Sequence, residues 1–203
     1  MLDIDLPDTI RPATRRDWRQ IGDITGEAFA EDPFNLWIFG RPRALPPLFR
    51  MMARDIYLKN GFCHLAGDKA ATMCAMHDAK QGFPPFSLFR LIALQLFLAD
   101  KGAMKRGLAA AETMQRHHPK DPHVYLFTVG TRKVARGKGH GKAIIAPVLT
   151  AADRAGLPAY LENTNPVNTG FYQSLGFERT GEFRVNDTSP PVMTMWRTPR
   201  APA

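Results

Sequence analysis

Several things are scarce in this chain, and each scarcity excludes something. Only two of its 203 residues are cysteines, Cys63 and Cys74. They stand in separate strand-like segments without Cys-x-x-Cys spacing, which argues against a disulfide framework or a zinc site and predicts buried free thiols in a reducing compartment. No apolar run approaches the roughly 18–20 residues of a bilayer-spanning helix. The nearest, LFRLIALQLFLAD, is interrupted or ended by Arg90, Gln95 and Asp100. The opening stretch MLDIDLPDTIRPATRRDWRQ is acidic and then basic, with no apolar signal-peptide core. A soluble cytoplasmic protein is expected, with no membrane partner. Repeats and low-complexity segments are absent, and the length fits one domain able to bury its own core.

Acidic residues are also in deficit, 19 against 27 Lys and Arg, for a formal charge of +8. Such an excess suits a polyanionic partner: nucleic acid, a phosphorylated cofactor or an anionic substrate. Part of it lies in RPATRRDWR and WRTPRAPA, where a solvated tail suffices. The cations are not interleaved with aromatics as in nucleic-acid grooves, so no specific nucleic-acid partner is expected.

What is present begins with periodicity. DTIRPAT reads as a short strand, with Thr14 placed to cap a helix over RRDWRQIGDITGEAFAED. DPFNLWIFGRPRALP, rich in proline and aromatics, reads as a loop over a pocket. LPPLFRMMARDIYLKNG is a second helix, stopped by Asn60-Gly61. FCHLAGD and AATMCAMHD form a hairpin about a Gly-Asp turn. FSLFRLIALQLFLAD and KGAMKRGLAAAETMQRHH form a helical hairpin that would cover one face of a sheet. HVYLFTVGT, apolar almost throughout, suits a central strand buried on both faces. The helix GKAIIAPVLTAADRAG contains Pro147, which should remove a backbone bond or kink it, and ends at Gly156. PAYLEN is a buried strand. NPVNTGFYQSLGF is a short helix capped by Asn165, with Pro166 at its first position and Gly176 at its stop. FERTGEFRVND and PVMTMWRT close the chain as antiparallel strands.

Between HVYLFTVGT and the following helix, Gly137, Gly139 and Gly141 alternate among Arg132, Lys133, Arg136, Lys138 and Lys142. Strand, glycine-rich basic loop and helix are the general form of a phosphate cradle. Glycines let backbone N–H groups approach a phosphate, and the first helical turn offers unpaired donors with a partial positive charge. Each hydrogen bond to a charged group contributes about 1.5–3 kcal/mol, so a few of them with the cations reach micromolar affinity, about −8 kcal/mol. The P-loop pattern fails twice: its first glycine would fall at Arg136 and its magnesium-binding hydroxyl at Ala143. The dinucleotide pattern fails because Lys142 stands where its third glycine belongs, and the loop does not follow the first strand.

A third pattern, Arg/Gln-x-x-Gly-x-Gly/Ala, is met by Arg136 to Gly141. It resembles the pyrophosphate loop of the GNAT superfamily of acetyl-CoA-dependent N-acetyltransferases. About thirty residues later, NTGFYQSLGF is similar to that family's Asn-x-x-x-Tyr-x-x-x-Gly-Phe signature, as Asn168, Tyr172, Gly176 and Phe177. The likeness is particular to the branch containing puromycin N-acetyltransferase, through HVYLFTVGT, PPVMTMWRTP and, more loosely, EAFAEDPFNLWIF. It is close over 120–198 and follows only the order of elements over 40–118. Where the branch usually has Val-Asp/Ser-Pro, this chain has Thr131, Arg132 and Lys133, losing a proline and setting two extra cations near the phosphates.

The resemblance implies an α/β (α+β) fold: a mixed, mostly antiparallel sheet with helices on both faces and a splayed parallel strand pair, YLFTVGT and PAYLEN, holding acetyl-CoA. Residues 1–203 form a single domain, 1–118 the acceptor side and 119–198 the acetyl-CoA side. Val129, Gly130 and Thr131 would bond the pantetheine arm through their backbone. Arg136, Gly137, Lys138, Gly139, His140, Gly141 and Lys142 would hold the pyrophosphate, and Asn168 the pantetheine. No metal is implied. The chemistry is attack of a neutral amine on a thioester, which asks for a proton acceptor and a proton donor. Tyr172 stands at the family's acid position, and a phenol with pKa near 10 is protonated at pH 7. Such a donor contributes about 10²–10⁴-fold, although spacing alone favours a core tyrosine. Glu162, at a strand end where clefts form, could take the amine proton through water or be an exposed or salt-bridged side chain. Asp32 and His123 are further candidates. His117 and His118 lack a third metal ligand and read as a solvated helix end. The acceptor pocket would come from DPFNLWIFGRP and GFPPFSLF, with Asp32, Phe34 and Trp37 as substrate residues and Phe86 as core. The expected function is acetyl transfer to a small-molecule amine in a ternary complex, by a monomer or homodimer. A protein or peptide acceptor and a non-catalytic CoA-binding module are the competing readings.

Overall fold

The computed structural model describes residues 2–80 and 82–200, so the last three residues of the basic tail lie outside the described residues. The strands in chain order are β1 (Arg11–Pro12), β2 (Phe62–Ala66), β3 (Ala70–Met76), β4 (Val124–Thr131), β5 (Ala159–Asn163), β6 (Glu178–Phe183) and β7 (Val192–Arg197). They make one seven-stranded sheet in the order β1-β2-β3-β4-β5-β7-β6. Every pairing is antiparallel except that of β4 with β5. The helices are α1 (Trp18–Ala28), α2 (Pro33–Phe39), α3 (Leu45–Met52), α4 (Leu58–Asn60), α5 (Leu88–Phe97), α6 (Ala103–His117), α7 (His140–Arg154) and α8 (Thr169–Ser174).

Two apolar cores hold the layers together. Ile21 and Ile24 of α1 and Leu45 and Leu48 of α3 pack with Leu65 and Met73 of the sheet. On the other side Ile144, Ile145, Val148 and Leu149 of α7 pack with Val124, Leu126, Leu161 and Phe177. The central, buried strand foreseen in HVYLFTVGT is β4, fourth of the seven. Among the described residues no helix is long and apolar enough to cross a membrane. Cys63 and Cys74 are free and buried, as expected.

Local chemistry explains the departures. The segment expected as a loop contains α2. Asp32 accepts the Asn35 N–H at 2.8 Å, Pro33 occupies the first turn, and Gly40 closes the helix at φ 70°. Each signal was present, but the density of proline and aromatics hid them. Thr14 does not cap α1, which is preceded by Asp17. Its N–H and hydroxyl instead donate to the Asp17 carboxylate at 2.7 and 2.9 Å. Phe86 is not core: it is 58% exposed, with Lys59 Nζ 5.0 Å from its ring. Pro147 lies inside α7, which continues through it.

The feature that positions the site is the short parallel ladder. β4 and β5 pair only at Val124↔Ala159 and Tyr125↔Tyr160. Beyond that β5 stays with β7 and β4 with β3. In the β3–β4 ladder Met73 faces Thr128 but Cys74 faces Leu126, which leaves Phe127 as an extra residue. Such a bulge bends its strand and adds local twist. A gap therefore opens at the centre of the sheet, where clefts form in mixed α/β sheets.

Candidate active site

Two cavities meet in this gap. One, of about 660 Å³, lies between the glycine loop and α8. The other, of about 270 Å³, is apolar and lies beneath α2, α5 and α6. Phe29, Asn168 and Tyr172 line both.

The larger cavity is bounded by Val129 and Thr131 of β4 and by Gly137, Gly139, His140 and Gly141. Gly137 and Gly139 have φ of 74° and 80°, and a Cβ at either would meet nothing within 4 Å. Backbone conformation, not crowding, requires glycine there. Gly139 precedes α7 and no side chain caps that helix, so its first N–H groups and partial positive charge are available at the cavity wall. A Cβ on Gly141 would sit 3.4 Å from the Phe171 ring of α8. Gly130 faces the other way: its Cβ would meet Thr25 of α1 at 3.1 Å.

The basic residues on this wall are Arg136, His140 and Lys142. The two extra cations expected near the phosphates are elsewhere. Arg132 bonds the Glu27 carboxylate, the Lys133 N–H donates to Glu27 at 2.9 Å, and Lys133 Nζ donates to Glu31 at 2.7 Å. They clamp the loop to α1 in place of the missing proline. Burial raises the Glu27 pKa, but the Lys133 amide and the Arg132 guanidinium outweigh it and hold the carboxyl below its usual value. Lys138 Nζ likewise turns back to the Val134 carbonyl at 3.1 Å.

Opposite the loop, α8 is placed by a polar turn. Asn165 Oδ1 accepts the Val167 N–H at 3.2 Å, Asn163 Nδ2 donates to Thr169 at 3.1 Å, and the Thr164 hydroxyl donates to Asp32 at 2.6 Å. Asp32 is therefore buried and engaged on both oxygens, by Asn35 and Thr164, and joins α2 to the end of β5. Asn168 makes no capping bond with its side chain, which leaves its amide to the cavities it lines. Tyr172 packs edge-on to Phe171 at 5.2 Å and Phe177 at 6.1 Å. Burial first, and then the Asp32 charge, push its phenol up to about 12. It is protonated at any physiological pH.

The apolar cavity receives Phe34, which stacks on Trp37 at 5.8 Å. Trp37 is not among its lining residues and donates its indole N–H to Thr188 at 3.2 Å. Leu91 and Gln95 of α5 and Met104, Leu108 and Met114 of α6 complete the wall. Sequence reasoning assigned these two helices to a cover, because an apolar helix face reads the same whether it meets a core or a cavity.

Glu162 is neither exposed nor at a solvated strand end. Its side chain is 2% exposed and lies 3.5 Å from His118 Nδ1. Its Oε1 has no hydrogen-bond partner among the described residues. The charge of Glu162, after burial, raises the Tyr125 and Tyr160 phenols. His118 is thus not a solvated helix end: its ring meets Tyr125 at 4.8 Å and Tyr160 at 5.2 Å. His117 stacks on Phe183 at 4.2 Å. His123 is fully buried, donates Nδ1–H to the Asp121 carbonyl at 2.7 Å, and has its pKa lowered mainly by burial. It lies behind Glu162, outside the lining of both cavities.

Residues 95–177 match the family model described as Acetyltransferase (GNAT) family. Over 59 residues the chain is 37% identical to an uncharacterized N-acetyltransferase of Schizosaccharomyces pombe, a match spanning 29% of this chain and 24% of that protein. The chain thus matches about a quarter of the length of this curated relative. A solved structure from Corynebacterium glutamicum, described as histone acetyltransferase HPA2 and related acetyltransferase, superposes with a TM-score of 0.68 at 28% identity, covering 96% of this chain and 97% of that one. Arylalkylamine N-acetyltransferase 2 from Aedes aegypti superposes with a TM-score of 0.61 at 12% identity, covering 94% and 98%. At that identity the likeness is one of fold.

Proposed function

We propose, from the match of residues 95–177 to the GNAT acetyltransferase family and the fold shared with a solved acetyltransferase, that this chain is an acetyl-CoA-dependent N-acetyltransferase that acts on the amine of a small molecule by direct transfer in a ternary complex. The observation that carries this reading is the meeting of the two cavities at Tyr172 and Asn168. One has a glycine loop and an uncapped helix N-terminus suited to a pyrophosphate. The other is apolar and walled by helices, which suits a small acceptor better than a chain lying across the surface.

The residues present fit acetyl-CoA. Amides from Gly137 to Lys142, with Arg136 and Lys142, would hold the pyrophosphate. The β4 edge at Val129 to Thr131, with no strand neighbour on the β5 side among the described residues, has backbone groups that could bond the pantetheine amides. Asn168 would add its side-chain amide. When bound, acetyl-CoA would supply an acetyl thioester for the acceptor nitrogen to attack. Glu162 takes one proton from the acceptor ammonium. The neutral nitrogen then attacks the carbonyl carbon, the C–N bond forms and the C–S bond breaks. Tyr172 gives its proton to the departing sulfur, and the second nitrogen proton restores it. The products are the amide, the free thiol and the one proton held by Glu162, which returns to solvent.

Calorimetric titration tests the reading. Acetyl-CoA should bind, and at a hundredfold excess over Kd it should stabilise the fold by about 2.7 kcal/mol. Thiol release across an amine panel should follow. Absence of binding at millimolar acetyl-CoA would remove the proposal.

A further inference from the structure

Resting on that reading, we infer that the acceptor is an apolar monoamine, a primary amine with one positive charge on an aryl or alkyl body, whose ammonium sits on Glu162. Three observations carry this. First, among the described residues Glu162 is the only Asp, Glu, Lys, Arg or His that lines the apolar cavity. Second, its side chain is 2% exposed, yet Oε1 lacks a hydrogen-bond partner. Buried polar atoms in folded proteins are nearly always partnered, and a buried carboxylate oxygen left alone asks for a donor that carries positive charge. His118 Nδ1 lies 3.5 Å away and pairs with the carboxylate only when protonated. The Tyr125 and Tyr160 hydroxyls also face Glu162, and Tyr57 and His123 lie within reach of its charge, yet these neighbours leave Oε1 without a bond among the described residues. An ammonium entering from the cavity supplies both the N–H and the charge.

Third, most of the wall is hydrocarbon and thioether, with Phe34, Phe39, Phe49, Phe83, Met52 and Met114 among its members, and its other polar side chains are neutral amides and hydroxyls such as Asn35, Gln95, Thr128 and Asn168. Among the described residues no second carboxylate lines this cavity, and Asp32 of the adjoining one is engaged on both oxygens, so a polyamine or an aminoglycoside would bury an unpaired charge. A peptide would bury backbone amides against the same rings. Gln95 Oε1 and Thr128 Oγ1, also buried and unpartnered, can meet a neutral donor such as a hydroxyl on the body. At 270 Å³ the cavity is just below the usual range of ligand pockets, about 300–1,000 Å³. A single aryl ring or a short alkyl chain is the fitting size.

The test compares 2-phenylethylamine, spermidine and a short peptide with a free α-amine, by thiol release at saturating acetyl-CoA. We expect kcat/KM for 2-phenylethylamine to exceed the other two by at least about 100-fold. In Glu162→Gln, which also removes the proton acceptor, kcat should fall and KM for 2-phenylethylamine should rise about tenfold or more, with acetyl-CoA affinity by calorimetry within twofold of wild type. Should that variant not fold, a ligand-side comparison decides: 2-phenylethanol, the neutral isostere, should inhibit the wild type at least about tenfold more weakly than 2-phenylethylamine binds. Preference for spermidine or the peptide, an unchanged KM in the variant, or equal binding of alcohol and amine would each overturn the inference. In those outcomes acetyl-CoA still binds and acetyl transfer stands, although preference for the peptide would also replace the small-molecule acceptor. Loss of acetyl-CoA binding itself would instead sink that reading.

Discussion

At the scale of single residues, Tyr172 has two neighbourhoods and one hydroxyl. Its ring is held by Phe171 and Phe177, so Tyr172→Phe should keep the packing and remove only the proton donor. A phenol pushed up to about 12 is a poor acid toward water but is fully protonated when a thiolate departs beside it. The variant should bind acetyl-CoA as tightly as wild type and lose kcat by about 10²-fold, roughly 2.7 kcal/mol of transition-state stabilisation. Steady-state kinetics beside calorimetry checks this, and an unchanged kcat in a well-folded variant would leave the scheme without its donor. His64 illustrates a different single-residue effect. It is buried in β2 with Nδ1 unpartnered, and burial lowers its pKa from 6.5 to about 4. Between those values the unfolded chain binds the proton and the folded one does not, so stability falls as pH drops from 6.5 toward 4. The full loss is about 3 kcal/mol. Urea denaturation across that range should show a flatter pH dependence in His64→Leu than in wild type.

At the scale of elements, the glycine loop and α7 act as one unit. Gly139 stands in the left-handed region at φ 80°, where a β-branched residue is strained by about 1–3 kcal/mol. Gly139→Val should therefore rebuild the loop, misdirect the first N–H groups of α7 and abolish measurable acetyl-CoA binding. Far-UV circular dichroism should remain native, because the loop lies outside both cores. Gly141 has an ordinary φ, and its Cβ would meet Phe171 at 3.4 Å. Gly141→Ala should cost far less affinity than Gly139→Val. Near-normal affinity in Gly139→Val would place the phosphate cradle elsewhere. The clamp of Arg132 and Lys133 on Glu27 and Glu31 serves the same unit by fixing the loop to α1.

At the scale of the whole molecule, one buried ion pair ties three elements around the second core. Arg197 of β7 bonds Asp153 of α7 through both terminal nitrogens at 2.7 Å, and its Nε donates to the Leu175 carbonyl after α8 at 3.0 Å. Its side chain is 4% exposed. Removing only the carboxylate leaves the guanidinium buried without its counter-charge. Asp153→Ala should destabilise the protein by about 3–5 kcal/mol, read as a lower urea midpoint with an unchanged slope. A loss under about 1 kcal/mol would mean that water reaches Arg197 and replaces the carboxylate.

Local signals in the sequence determined a good deal. Alternating or continuous apolar runs marked β2, β3, β4 and β5. The apolar stripe from Ile144 to Ala152 marked α7, and the Asn165-Pro166 start with the Gly176 stop bracketed α8 together with the 3-10 turn Pro166–Asn168 that precedes it. The positions of Gly137, Gly139, Asn168 and Tyr172 on either side of one cavity follow from those elements, because each motif is contiguous. Tertiary structure decided what depends on segments distant in the chain. The gap between β4 and β5 comes from a bulge at Phe127 that exists only against β3. Glu162 was legible as a strand residue, but its burial beside His118 requires the end of α6 to fold over β5. Arg132 and Lys133 read as phosphate cations until α1 and the turn after it bring Glu27 and Glu31 to them. Trp37 reads as a pocket aromatic until the turn before β7 offers it Thr188. Backbone preference and capping act over a few neighbouring residues and leave their mark in the sequence. Burial and charge pairing act between surfaces, and those surfaces exist only once the chain has folded.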